Sequence, residues 1–104
     1  MTENRYQAHI IRRLYKMLPS NTIVIKTDPS YNQGFPDLLI LCGPYWAALE
    51  VKANRGARSR PNQPYYIETL NAMSFAAFIY PENEEEVLNA LQQAFEPPRR
   101  ARVS

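Results

Sequence analysis

Across residues 3–18 the apolar side chains Tyr6, Ile10, Ile11, Leu14, Met17 and Leu18 recur every three or four positions, the period of a helix with one buried stripe. Thr2 stands where an N-cap belongs, with Arg5 in place of the Glu of a full capping box, and Pro19, Ser20 and Asn21 close the helix. The pattern then changes period. TIVIKTD, residues 22–28, is β-branched and short enough for a strand, and the turn-forming PSYNQGFP that follows reads as a loop. DLLILC (37–42) and YWAALEVK (45–52) are two further strands divided only by Gly43 and Pro44, which makes a hairpin the economical arrangement. After the polar, basic ANRGARSRPNQP, either Ser59 or Asn62 can cap a helix running to about Met73, with Tyr66, Leu70 and Met73 on one side; Pro61 and Pro64 fit only in its first turn. FAAFIY (75–80) is a fourth strand stopped by Pro81. Asn83 caps a last helix whose acidic first turn, 84–86, faces the positive end of the helix dipole and whose buried stripe is Val87, Leu88, Leu91, Ala94 and Phe95. The order αβββαβα predicts an α/β fold: a mixed four-stranded sheet flanked by helices.

Three charges interrupt the apolar hairpin. If its turn is centred between Gly43 and Pro44, the cross-strand partners are Leu41 with Trp46, Leu39 with Ala48, and Asp37 with Glu50. Pro44 cannot take the positive φ of a type I′ turn, so a longer loop with a shifted register is also expected. Strand alternation sends Ala48, Glu50 and Lys52 to one face, and Ala47, Leu49 and Val51 to the other. Two facing carboxylates repel unless a cation lies between them, and an Asp, a Glu and a Lys meeting at a strand end suit metal-assisted hydrolysis of a phosphodiester. On charges alone, one wet face of an antiparallel pair accounts for the pattern equally well. Glu3 shifts that balance: it lies almost two turns before Ile10, on the stripe of Ile10, Leu14 and Met17, which makes it a third carboxylate for the same ion.

Composition narrows the classes. The 104 residues suit a single domain, expected at 1–96, with a flexible basic tail at 97–104 containing Arg99, Arg100 and Arg102. Without that tail, nine basic side chains stand against ten acidic ones, a balance of −1. Lys52, Arg55, Arg58 and Arg60 crowd into nine residues, opposed by Glu82, Glu84, Glu85 and Glu86, a polarity that suits an anionic partner at one end. Cys42, the one cysteine, reads as a small hydrophobe at the end of a buried strand, and His9, the one histidine, as part of a solvated helix face; together they are too few for a zinc site. No apolar run approaches the ~20 residues of a membrane span, and MTENRYQAHIIRRLYKML lacks the pattern of a signal peptide, so a cytoplasmic location with no membrane partner is expected.

GFPDLLILCGPYWAALEVK resembles the signature of the PD-(D/E)XK nucleases: Pro36-Asp37, twelve intervening residues, then Glu50-Val51-Lys52 as the E-x-K element. With Glu3 upstream and Gln63 downstream of a basic loop, it is similar to the small VRR-NUC branch and to archaeal-type Holliday junction resolvases. The resemblance spans nearly the whole chain and implies a restriction-endonuclease-like αβββαβ core, here with an extra C-terminal helix. It further implies that Asp37, Glu50, the Val51 carbonyl and Glu3 hold Mg²⁺ or Mn²⁺, that Lys52 is the catalytic lysine, and that Gln63 positions Lys52 or the phosphate. Hydrolysis would leave 5′-phosphate and 3′-hydroxyl ends. IVIKTDPSYNQG offers Lys26 and Ser30 where related resolvases place a serine near the phosphate.

Arg55, Arg58 and Arg60 leave the E-x-K strand on a glycine-containing loop and can follow a phosphate backbone together with Lys26. No base-reading module is present, so selectivity is expected for DNA structure, branched or junction DNA above all, rather than for a long sequence. Paired cuts would take a C2 homodimer, an expectation from the related resolvases. A binding module of the same fold that needs a partner for activity is the second reading, and an interaction domain working through its acidic last helix the third.

Overall fold

The first helix, α1 (Glu3–Met17), starts as its sequence predicts: the Thr2 hydroxyl accepts the Arg5 N–H at 3.2 Å, and Tyr6, Ile10 and Leu14 form the buried stripe. A computed structural model describes residues 1–28 and 30–96, so the tail expected at 97–104 lies outside the described residues. The remaining elements are β1 (Ile23–Lys26), β2 (Leu38–Cys42), β3 (Tyr45–Val51), α2 (Gln63–Met73), β4 (Phe75–Ile79) and α3 (Glu84–Ala94), with a short 3-10 turn over Pro81–Asn83. The strands lie in the order β1-β2-β3-β4, antiparallel up to β3, with β4 parallel to β3 after the α2 crossover. The result is an α/β domain with an open mixed sheet and three α-helices among the described residues.

The hairpin takes the register read from its sequence, with Leu41 opposite Trp46 and Leu39 opposite Ala48. The longer loop does not form. Gly43 alone supplies a positive φ, +61°, so Pro44 occupies the second central position of a II′-type turn, where a negative φ is required. Proline forbids the I′ turn but not the two-residue hairpin.

One sheet face carries Leu38, Ile40, Cys42, Ala47, Leu49, Val51 and Ile79 into a core closed by α1 and α3, through Tyr6, Ile10, Leu14, Val87, Leu88, Leu91 and Phe95. Burying each of these large aliphatic side chains is worth about 1.5–3 kcal/mol. The other face is covered by α2 only over β3 and β4, leaving Ile23 and Ile25 of β1 largely in solvent. Met73 is exposed as well, and so is not part of the α2 stripe expected for it. Among the described residues no helix is long and apolar enough to cross a membrane.

His9 departs from its expected solvated position. Its ring meets Glu84 Oε2 at 2.8 Å, Tyr6 donates to Glu84 Oε1 at 2.9 Å, and Arg13 reaches both Glu84 and Glu85, tying α1 to the first turn of α3. Asn83 begins α3 without a side-chain cap; its amide bonds the Phe78 carbonyl at 3.1 Å and the Tyr80 N–H at 2.9 Å instead. Side chains also cover the outer edge of the sheet elsewhere. Tyr15 Oη accepts the Val24 N–H at 3.0 Å on β1, and Asn71 Oδ1 accepts the Ala76 N–H at 3.0 Å on β4.

The loop between β1 and β2 is held against the start of α2 by Gly34, whose φ is +87° and where an added Cβ would stand 2.6 Å from Asn62 Cβ. Gly34→Ala should therefore cost more than the ~1–2 kcal/mol of a left-handed backbone alone. Gly43→Ala, with nothing within 4 Å of its added Cβ, should cost only that much. Thermal denaturation of both variants tests this, at roughly 4–8 °C per kcal/mol for a domain of this size; equal losses would contradict the close approach at Gly34.

Candidate functional site

The face of β3 that lies under α2 ends in two charges taken out of water: Glu50 is 2% exposed and Lys52, just past the strand, 7%. The Lys52 N–H donates to the Ile79 carbonyl at 2.9 Å, continuing the β3–β4 ladder and fixing the root of its side chain. Asp37 precedes β2 and turns its carboxylate to the end of the hairpin, where Oδ2 accepts the Val51 N–H at 3.0 Å. Asp37 and Glu50 thereby line the same cavity, next to the Leu38–Leu49 pair that closes the hairpin register.

Gln63, the first residue of α2 and itself buried, joins the group. Its Nε2 donates to Glu50 Oε2 at 2.6 Å, while its Oε1 accepts from Lys52 Nζ at 2.7 Å and from the Arg60 N–H at 2.8 Å. Only this amide orientation serves both neighbours, since the flipped one would set NH₂ against the ammonium and oxygen against the carboxylate. Lys52 Nζ also donates to the Arg58 carbonyl at 3.1 Å and lies 3.6 Å from Glu50 Oε2. Two of its three donors are thus engaged, and the third remains on the Glu50 side. Asn62 occupies the N-cap position of α2 without a side-chain cap bond, so the start of this helix is organised by Gln63.

Burial penalises both carboxylates. Desolvation, reinforced by the Asp37 charge, pushes the Glu50 carboxyl up to about 7 against the pull of Lys52. The Asp37 carboxyl is also raised, by desolvation first, with the Val51 N–H and Lys52 offsetting part of the shift. Glu50 Oε1 is buried without a hydrogen-bond partner.

These groups open onto a cavity of about 250 Å³ that also takes in Glu3 from α1, Gly34 and Phe35 from the β1–β2 loop, and Arg58 and Arg60 from the loop before α2. Glu3, Asp37, Glu50, Lys52, Gln63, Arg58 and Arg60 are thus brought together. Val51 contributes its backbone N–H here and buries its side chain in the opposite core. Lys26, exposed on the edge strand, and Arg55 do not line the cavity. Arg55 turns toward the β4–α3 connection, its N–H on Glu82 Oε1 at 3.2 Å and its guanidinium 5.8 Å from the Tyr80 ring centre. Ser30 bonds Asp28 through its backbone and hydroxyl. Phe35 and Gly34 are cavity residues that the charge pattern did not single out; the signal for both is the Gly-Phe pair just before Pro36-Asp37.

A hard cation fits this donor set in part. Among the described residues no group of three Asp, Glu, His or Cys side chains is close enough to hold a metal, so Glu3 lines the cavity without completing a three-carboxylate cage. Two carboxylates with raised proton affinity and one orphaned buried oxygen do suit an ion that keeps much of its water, as Mg²⁺ does. Compared with protein-family models, curated proteins and solved structures, the chain matches none.

The Glu50 shift has a definite sign for stability. The folded chain holds this proton up to about pH 7 and the unfolded chain releases it near 4.5, so the folded state loses stability as pH rises across that interval. Glu50→Gln should therefore be more stable than wild type at pH 8 in EDTA, by roughly 1–3 kcal/mol, with the gain gone below pH 4.5. Denaturation midpoints across this range measure it; a variant equally or less stable at pH 8 would mean that Glu50 carries its charge at little cost.

Proposed function

We propose that the chain is a divalent-metal-dependent endonuclease of PD-(D/E)XK type that hydrolyses DNA phosphodiester bonds, with a preference for branched DNA. The observation that carries this reading is the buried set Asp37, Glu50, Lys52 and Gln63, gathered at one cavity whose rim bears Arg58 and Arg60. A structural ion pair would be cheaper to replace by apolar residues than to maintain. Perturbed carboxylates in a cleft beside a fixed ammonium are what acid–base and phosphoryl chemistry require. The order αβββαβ, with its antiparallel β1-β2-β3 and parallel β4, supports a restriction-endonuclease-like core.

Asp37 and Glu50 would hold Mg²⁺ or Mn²⁺, with Glu3 and the Val51 carbonyl as further oxygens. When bound, such an ion polarises the phosphate and lowers the pKa of water. Lys52, held by Gln63 and the Arg58 carbonyl, presents its remaining N–H toward the carboxylates and offsets charge developing on the phosphate oxygens. Arg58 and Arg60 supply the positive rim along which a phosphate backbone is drawn. Cutting two strands takes two such sites, for which a C2 homodimer is the expected arrangement.

A panel of labelled four-way junction, flap, duplex and single-stranded DNA, incubated with Mg²⁺ or Mn²⁺ and with EDTA, tests the reading. Cleavage should vanish in EDTA and fall at least about 100-fold in Asp37→Ala and Lys52→Ala. Activity that is equal in wild type and in Glu50→Ala would assign it to a contaminant. Binding without cleavage in every metal would favour the second reading, a structure-selective binding module dependent on a partner.

A further inference from the structure

Beside the acidic centre, one cavity-lining ring, Phe35, begins a row of aromatic contacts that the chemistry above does not use. Phe35 lines the cavity and meets Tyr66 edge to face, with ring centres 5.4 Å apart; Tyr66 in turn meets Tyr65 at 5.6 Å. Tyr65 is 63% exposed, so the row runs from the cavity wall into solvent. Alongside lies a smaller recess of about 140 Å³, bounded by Gln33, Gly34, Arg60, Pro61 and Asn62. Gly34 and Arg60 border both spaces, so the recess adjoins the acidic cavity. Neither Arg58 nor Arg60 has a carboxylate partner among the ion pairs of the described residues.

Each part has a chemical counterpart in one kind of ligand. Unpaired guanidinium groups attract phosphate. The amides of Gln33 and Asn62 carry a donor and an acceptor each, matching the edge of a nucleobase. Exposed aromatic rings beside a basic groove are a platform for bases that are free to leave their stack, which the bases of an intact duplex are not. The fold has no need of Tyr65 in that place, since its ring contributes little to the core.

We propose that the Phe35–Tyr66–Tyr65 row and the Gln33–Asn62 recess form a subsite for an unpaired nucleotide, whose phosphate lies at Arg60 and whose base stacks on the aromatic row. The subsite rests on the nuclease reading of the adjoining cavity and deepens it: the strand to be cut enters single-stranded, from the fork of a branch or from a free end. Unpaired DNA and unpaired RNA share the chemistry.

Fluorescence anisotropy in EDTA, with a labelled oligothymidylate, an oligouridylate of the same length and a blunt duplex as probes, tests the subsite without cleavage. Single strands should bind more tightly than duplex. Tyr65→Ala should weaken single-strand binding about 5- to 100-fold, with a smaller loss on duplex, and Tyr65→Trp should restore it. Met73→Ala, exposed at the far end of α2, serves as the neutral control. The stronger of the two single-stranded probes identifies the sugar. Duplex bound as tightly as single strands, or Tyr65→Ala binding like wild type, would overturn the subsite even if Asp37-dependent cleavage is found. Conversely, Tyr65-dependent binding with no cleavage in Mn²⁺ on any DNA would retain the subsite and remove the nuclease reading.

Discussion

The site depends on one side-chain amide placed between opposite charges. Glu50 and Lys52 are withdrawn from water on the same face of a strand, at a distance where their attraction alone does not repay desolvation. Gln63 offers its N–H to one and its oxygen to the other, and the Arg60 N–H completes its bonding. Without that bridge the end of β3 would hold a carboxylate and an ammonium with unmet hydrogen bonds, and α2 would lose the contact that sets where its first turn begins. The same amide therefore holds the α2 crossover against the sheet and keeps the ammonium at the cavity.

Opposite the sheet, a second polar assembly acts on the same space from a distance. Glu84 gathers Tyr6, His9 and Arg13 from α1, with the Tyr6 hydroxyl held strongly in its protonated form by burial and by this carboxylate. One turn before Tyr6, the helix begins at Glu3, whose place on the cavity wall follows from the position of α1. The acidic cluster of residues 82–86 is thus partly a fastening for α1 and Arg55 rather than a free pole of the molecule.

Much of this was legible in the residues, for local reasons. The stripe and Thr2 cap of α1 and the alternation that puts Glu50 and Lys52 on one face follow from periods of 3.6 and 2, whereas the hairpin register was one of two that the sequence allowed, decided by the positive φ of Gly43. The juxtaposition of Asp37 with Glu50 followed from that register. The polar contacts made across the fold were not legible. Between His9 and Glu84 lie 74 residues, and nothing near either one signals the other. Asn83 looked like a cap because asparagine before an acidic turn usually is one, yet the neighbouring strand offered it better partners. The aromatic row is hidden in the same way, since Phe35 of the β1–β2 loop and Tyr66 of α2 meet only in the folded chain.

At both rims of the sheet, polar side chains occupy the positions an added strand would take. A tyrosine hydroxyl answers the outward amide of Val24, and two asparagines imitate a neighbouring backbone along β4, at Ala76, Phe78 and Tyr80. Lateral growth of the sheet is thereby blocked at these sites, which removes a common route to fibrous aggregation. At these positions the backbone offers no free group to a further strand, while on the adjoining sheet face Ile23 and Ile25 stay exposed.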